Sequence, residues 1–453
     1  MIEYKNDLNK GVYNVGKLFQ RKKWYITVVL SFMLAFSYIF SLVNPNFARA
    51  AGPVDLKLNV KSAILIEADT GQVLYEYNAD EALPPASMSK MMTEYLVLEN
   101  IKNGKLSWDT PVTASKYAGS VIGSGQLIAE GETLSVKDMF YSLSIYSAND
   151  AAVALAEKIG GTEENFANMM NQKAKELGLS DSAHFINATG LTRADIGQYA
   201  PKNIQGETML SARDTAKLAD RLLKDHPEIL DFTKIPSKKL RESDKSPMIN
   251  WNWMLEGNMN NPNFKNIAYP GLDGLKTGHT NEAGYCFTGT AVQNGMRLIS
   301  VVMGTNSERA RFDETRKLLD YGFQNFEKKT VLNAQSSVDA MKTVKVKKGV
   351  KLEVPVVTEK EVTFILKKGA KTEALEITGQ PKDESTLTAP IKQGDILGTV
   401  TVSYKDPDTN QVQKQQVNMV AAEPNDKAGW FRLSMRAVKN LFVDLFTGIK
   451  NMF

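Results

Sequence analysis

PPASMSKMMT, residues 84–93, holds the single S-x-x-K of the 453-residue chain. Two prolines cannot lie inside a helix. After them Met88, Met91, Met92, Tyr95 and Leu96 recur at three- and four-residue intervals until Asn103-Gly104 stops the run. The pattern predicts a helix that starts at Ser87. Positions i and i+3 share a helix face, so the Lys90 amine points back toward the Ser87 hydroxyl while Met88 and Met91 turn inward. A hydroxyl attacks well once a neighbour takes its proton, and the free N–H groups of a helix start favour developing negative charge. The stretch therefore suits acyl transfer with Ser87 as nucleophile. Alone it also fits a helix cap followed by a solvated lysine.

Upstream, SAILIEA and QVLYEYN alternate as strands between Ser62 and Asn78 and flank the turn signal Asp69-Thr70-Gly71. Downstream the period becomes helical over Val136–Ser144, Asp150–Ile159, Glu163–Leu177 and Ala212–Leu223. Strands return at Leu272–Thr277, Tyr285–Val292 and Met296–Met303, the last two joined through Asn294-Gly295, and Ser307–Phe326 reads as a helix. Strands at both ends and helices between predict an α+β domain, 51–330, with a mostly antiparallel sheet flanked by helices. Residues 331–425 alternate Val, Ile and Thr between Gly, Pro and Asp turns, as in TVKVKKGVKLEVPV and ILGTVTVSY, which predicts a small all-β domain.

The two ends of the chain carry the remaining signals. Residues 1–50 combine a basic start ending Arg21-Lys22-Lys23, an apolar run from Trp24 to Val43, and Ala48-Arg49-Ala50 as a small-x-small cleavage site, so an export signal is expected. The apolar run is also long enough to stay as an anchor. Residues 426–453 predict an amphipathic helix. Phe431, Met435, Val438, Leu441, Phe442, Leu445, Ile449, Met452 and Phe453 fall on one face, and Arg432, Arg436, Lys439, Asn440, Thr447 and Lys450 on the other. Aromatics opposite a basic face suit a helix lying in a membrane surface, and docking on the protein's own core is the alternative.

The formal charge of +4 is concentrated at the start: seven Lys/Arg against Glu3 and Asp7 give +5 within residues 1–50 and leave −1 for the remainder. A nucleic-acid partner is not expected. Cys286 is the lone cysteine, so no intramolecular disulfide can form, and its apolar strand setting predicts an inert buried thiol. His184, His226 and His279 show no metal-ligand spacing, and no metal or other cofactor is expected.

Two further motifs occur once each. Tyr146-Ser147-Ala148-Asn149-Asp150 supplies an S-x-N sixty residues after Ser87, and Leu275-Lys276-Thr277-Gly278-His279 supplies a K-T-G at a strand end. Taken singly, the first reads as a helix cap and the second as a strand followed by a turn glycine. In this order the three motifs match class A β-lactamases and penicillin-binding proteins. More narrowly, PPASMSKMMT, YSANDAAVALAE, HFINATGL, LSARD and DGLKTGHTNEAGY resemble the D-alanyl-D-alanine carboxypeptidases, the low-molecular-mass penicillin-binding proteins.

The resemblance runs from about Lys61 to Phe453. It implies a β-lactamase/transpeptidase-like fold and a serine peptidase that trims the terminal D-alanine of peptidoglycan pentapeptides through an acyl-enzyme and is acylated by β-lactam antibiotics. It further implies that Ser87 is the nucleophile, Lys90 its general base, Ser147 and Asn149 a proton relay and substrate contact, and Lys276 an electrostatic partner across the cleft. The backbone N–H groups of Ser87 and His279 would form the oxyanion hole. Thr277, beside Gly278, and Arg311 of RFDETRKLL would hold the substrate carboxylate, although Arg311 equally reads as a solvated helix arginine. Asn250-Trp251-Asn252-Trp253 stands where some relatives place an arginine, so the resemblance does not carry a second cationic contact over to this chain, and the 192–208 loop reads as longer than usual. The expected location is the outer face of the cytoplasmic membrane. A β-lactamase of the same fold and a penicillin-sensing or wall-binding protein without turnover are the alternatives.

Overall fold

The computed structural model describes residues 54–370, 375–405 and 412–450. The export segment 1–50, Met452, Phe453 and the side chains of Leu445 and Ile449 lie outside that description.

The first hairpin, β1 (Ser62–Glu67) and β2 (Val73–Tyr77), precedes the helix α1 (Lys90–Lys102). Helices α2 (Val136–Tyr146), α3 (Asn149–Gly160), α4 (Glu163–Glu176) and α5 (Ala212–Asp225) follow, then strands β3 (Leu272–Thr280), β4 (Gly284–Gln293) and β5 (Met296–Thr305) and helix α6 (Glu308–Asn325). The sheet order is β2-β1-β5-β4-β3, every pair antiparallel, so the first hairpin closes onto the last three strands as the sequence pattern predicts. All six residues of β1 are buried, which requires cover on both faces. Leu318, Leu319 and Phe312 of α6 pack on the face of Ala63 and Leu65, and α5 contacts β1 and β5 on the other.

The period in α1 implies one apolar face, but Lys90 through Leu98 are buried at every position. The helix is enclosed by α2, α3, α4 and α5, so its polar residues are buried along with its methionines. That enclosure places a lysine and a glutamate in the interior, where each needs a specific reason to be present.

Strand β6 (Phe326–Leu332) continues directly from α6 and pairs with β9 (Val362–Lys367), so the 330/331 boundary read from composition falls inside a strand. A second sheet has the order β7-β8-β12-β11-β10, formed by Thr343–Lys345, Glu353–Thr358, Val412–Ala421, Ile396–Lys405 and Leu375–Pro381 respectively. Val354, Val356, Phe364, Val400, Val402 and Met419 fill its separate core. Helix α7 (Trp430–Lys450) ends the described chain.

Candidate active site

Ser87 sits in a tight 3₁₀ turn, Ala86–Ser89, that runs into α1. Ala86 takes a φ of 48°, a left-handed conformation unusual for a residue with a Cβ, and such departures gather at functional sites because the surroundings must hold them. Two glycines admit the turn. A Cβ on Gly278 of β3 would lie 2.5 Å from the Pro85 carbonyl, and one on Gly190, itself at φ 78°, would lie 2.1 Å from the Ala86 carbonyl.

The Lys90 amine is fully buried and has three partners: Ser87 Oγ at 2.9 Å, Asn149 Oδ1 at 2.7 Å and the Thr189 carbonyl at 2.7 Å. The amide of Asn149 is oriented by its Nδ2, which donates to the Ile122 carbonyl at 2.7 Å and leaves Oδ1 to face the lysine. Both fixed partners can only accept. A neutral amine spends its two N–H groups on them and keeps its lone pair for the Ser87 proton. Burial holds Lys90 well below the ordinary lysine range, and repulsion from Lys276 pushes the same way.

Thr189 was not a candidate from sequence; it belongs to HFINATGL, quoted above only for its resemblance. Its loop is rigidly tied. Asn187 Oδ1 accepts from the Thr189 and Gly190 amides and the Thr189 hydroxyl, at 3.0, 2.7 and 2.9 Å. Glu163, at the start of α4, accepts from Ala188 N at 3.0 Å and from the Tyr117 hydroxyl at 2.8 Å.

Ser147 closes α2 in the left-handed region, φ 61°, which turns its hydroxyl to accept from Lys276 Nζ at 2.8 Å. Lys276 also donates to the Thr277 carbonyl at 3.1 Å, and burial brings its amine down to about 8, with Glu94 opposing and Arg311 assisting that fall. The start of α3 is not a simple cap. Asn149 serves Lys90, and Asp150 Oδ2 accepts from Gln126 N at 2.7 Å and Ile128 N at 3.2 Å, which pins the 123–128 loop against the site.

Ser87, Ser147, Thr277, Gly278, His279 and Arg311 line one cleft of about 590 Å³, together with Gly123, Ser124, Gly125, Tyr146, Trp251, Tyr285 and Glu308. Arg311 is 3% exposed, so it is not a solvated helix arginine. It donates to Glu308 Oε1 at 3.0 Å and lies over the rings of Phe312 and Tyr285, and burial lowers it to about 10. The His279 ring is exposed and stacks on Tyr285 at 4.0 Å. Trp251, in the stretch that lacks the arginine, forms a wall and donates from Nε1 to the Tyr146 carbonyl at 3.0 Å. Cys286 is buried outside this set, its thiol pushed up to about 11.

A serine hydroxyl beside a desolvated amine, a second lysine bonded to a serine across the cleft, and a buried arginine in its lining are a set that suits serine acyl transfer on an anionic substrate. The family model described as D-alanyl-D-alanine carboxypeptidase matches residues 48–307, and that of the penicillin-binding protein 5 C-terminal domain matches residues 326–425. The D-alanyl-D-alanine carboxypeptidase DacF of Bacillus subtilis (strain 168) is 37% identical over 376 residues, which is 83% of this chain and 90% of that relative. A peptidoglycan synthesis regulatory factor (PBP3) of Streptococcus pneumoniae superposes with a TM-score of 0.71 at 31% identity, over 82% of this chain and 100% of that one. Penicillin-binding protein D2 of Listeria monocytogenes, in its cefotaxime-bound form, gives a TM-score of 0.50 at 35% identity, over 59% of this chain and 98% of that one.

Proposed function

This chain belongs to the D-alanyl-D-alanine carboxypeptidase family, the low-molecular-mass penicillin-binding proteins, and from that premise we propose that Ser87 is its nucleophile and Lys90 its general base. The enzyme is a serine-type peptidase that removes the terminal D-alanine of peptidoglycan pentapeptides through an acyl-enzyme, and penicillin acylates it. The observation that carries the residue assignment is the 2.9 Å contact between Ser87 Oγ and a buried amine whose other hydrogens are committed to Asn149 and Thr189.

In this reading Lys90 takes the Ser87 proton as the hydroxyl attacks the penultimate D-alanine carbonyl. The Ser87 and His279 N–H groups receive the oxyanion. The proton that Lys90 has taken leaves on the departing amine, relayed through Ser147, which is bonded to Lys276; water then cleaves the acyl-serine ester and returns a proton to Ser87, while Asn149 holds both Lys90 and the substrate. Thr277 and Arg311 take the terminal carboxylate, for which Glu308 must yield its place on the guanidinium. A penicillin-treated sample digested and weighed by mass spectrometry should carry the adduct on the peptide containing Ser87, and pentapeptide should lose one D-alanine per turnover. An adduct on another serine overturns the assignment.

The same reading places the enzyme on the outer face of the cytoplasmic membrane, exported through residues 1–50 and held by α7. Among the described residues no helix is long and apolar enough to cross a membrane. Support for surface binding comes from the orientation of α7. Arg436 donates to the Gly349 and Val350 carbonyls at 2.6 and 2.9 Å, so a basic face fastens the helix to the β-domain. Phe431, Met435, Val438, Leu441 and Phe442 stay 48–69% exposed. Outward aromatics of this kind favour the interfacial reading over docking on the core. Deleting residues 430–453 is expected to move the protein from the membrane to the soluble fraction. Retention on membranes would instead point to an uncleaved Trp24–Val43 anchor.

A further inference from the structure

The carbonyl of Tyr146 is the last of α2, so the helix itself offers it no donor. Two side chains from distant parts of the chain do. Ser124 Oγ donates to it at 2.9 Å and Trp251 Nε1 at 3.0 Å, and the indole also lies against the Tyr146 ring with centroids 5.6 Å apart. All three residues line the cleft, and neither Ser124 nor Trp251 has a part in the reaction described above. The mount of Trp251 is stiff. Asn250 and Asn252, on either side of it, are 3% and 1% exposed. Asn250 donates from Nδ2 to the Thr233 and Ile235 carbonyls at 3.1 and 3.0 Å, its Oδ1 accepts from Asn252 N at 2.9 Å, and Asn252 Oδ1 accepts from Met254 N at 3.2 Å. The turn therefore presents the indole N–H at one place.

What the carbonyl fixes is the next residue. The C=O of Tyr146 and the N–H of Ser147 belong to one planar peptide, so holding the first orients the second. Ser147 then takes φ 61° and ψ 31°, a left-handed conformation that a residue with a Cβ keeps only where its surroundings hold it. That conformation aims the Ser147 hydroxyl, which meets Lys276 Nζ at 2.8 Å. Tilting the peptide would swing the hydroxyl away from Lys276 and from the leaving group, while the contact between Ser87 and Lys90 lies on another element.

We propose that Trp251 is a positioning residue for the reaction: with Ser124 it holds the Tyr146 carbonyl, and through it the Ser147 hydroxyl, where the proton passes to the departing amine. It rests on the relay role given to Ser147 above. A peptide amine leaves only with a proton, whereas a thiolate, a far weaker base, leaves bare, so the two leaving groups isolate the relay. The measurement is kcat/KM of the full-length enzyme on the pentapeptide and on an analogue with sulfur in place of the scissile nitrogen. Trp251→Phe keeps an aromatic wall and removes the N–H, and is expected to lower the peptide rate by about tenfold or more and the thioester rate by less than about threefold. Ser124→Ala should change the ratio of the two rates the same way by less, and Ser147→Ala should change it more than either. Equal losses on both substrates in Trp251→Phe overturn the proposal by making the indole a wall against the acyl part alone. Should that variant fail to fold, Ser124→Ala decides, with an unmoved ratio against the proposal and a shifted one for it. A ratio unmoved in Ser147→Ala strikes the relay and this inference with it, whereas a shift there with none in Trp251→Phe strikes this inference and leaves the relay standing.

Discussion

Ser87→Ala is expected to abolish labelling by a fluorescent penicillin and to lower D-alanine release by roughly 10⁴-fold or more, as loss of a nucleophile does when a catalytic unit is broken. The melting temperature of this variant should stay within about 3 °C of the wild type, because the side chain is partly exposed and its one hydrogen bond among the described residues is to Lys90. Lys90→Met should lose as much activity and also stability. Its removal leaves Asn149 Oδ1 and the Thr189 carbonyl without their donor in a closed site, at about 1–3 kcal/mol for each orphaned group. The loss is partly offset because a buried amine no longer has to be accommodated. The double variant should be no slower than either single one. Multiplying losses would mean that serine and lysine do not act as one unit.

The parts of the site legible in the sequence are those that depend on residue type at short spacing. Ser87 and Lys90 are three apart on a helix, and that geometry follows from the helix itself. Ser147, Asn149 and Lys276 came from motif order, and their meeting at Lys90 and across the cleft is a tertiary fact. The Thr189 carbonyl was not legible because a backbone acceptor has no residue signature, although the Asn187 that holds its loop stands in plain view. The burial of Glu94 was not legible for another reason. In MMTEYL this residue looks like the polar side of an amphipathic helix, and only the enclosure of α1 on all sides puts it in the core. Arg311 was undecided between solvent and site until its burial beside Gly278 and Tyr285 placed it at the cleft.

The fold was legible for comparable reasons. Strand alternation and the Asn294-Gly295 turn fix local pairing, and a chain that starts and ends its domain with strands can bury them both by closing the first hairpin onto the last. Composition could not register the continuity between α6 and β6, since Phe326–Leu332 alternates poorly and gains its strand character from pairing with Val362–Lys367.

Lys276→Met is expected to lower kcat/KM by roughly 10²–10³-fold, the loss typical of one preorganised electrostatic contact, and to remove the alkaline limb of the pH profile. In the wild type activity should rise as Lys90 gives up its proton and fall above about pH 8 as Lys276 gives up its own, a bell whose apparent values belong to the coupled pair. A profile that stays flat to pH 10 would remove the Lys276 charge from the mechanism. The same substitution should make the protein more stable, and the sign can be followed through pH. Lys276 releases its proton near 8 when folded and near 10.5 when free, so below pH 8 both states are charged and the fold bears the full cost of burying the cation. That cost is roughly 3 kcal/mol at most, reduced by the bonds to Ser147 and Thr277 that the variant forgoes. As pH rises from 8 toward 10.5 the folded lysine is already neutral while the unfolded one is still discharging, and the cost fades. The melting temperature of Lys276→Met should therefore exceed that of the wild type most at pH 7 and converge with it above about pH 10.5. A gap that widens with pH would mean that the amine is held in the fold by attraction rather than tolerated against burial.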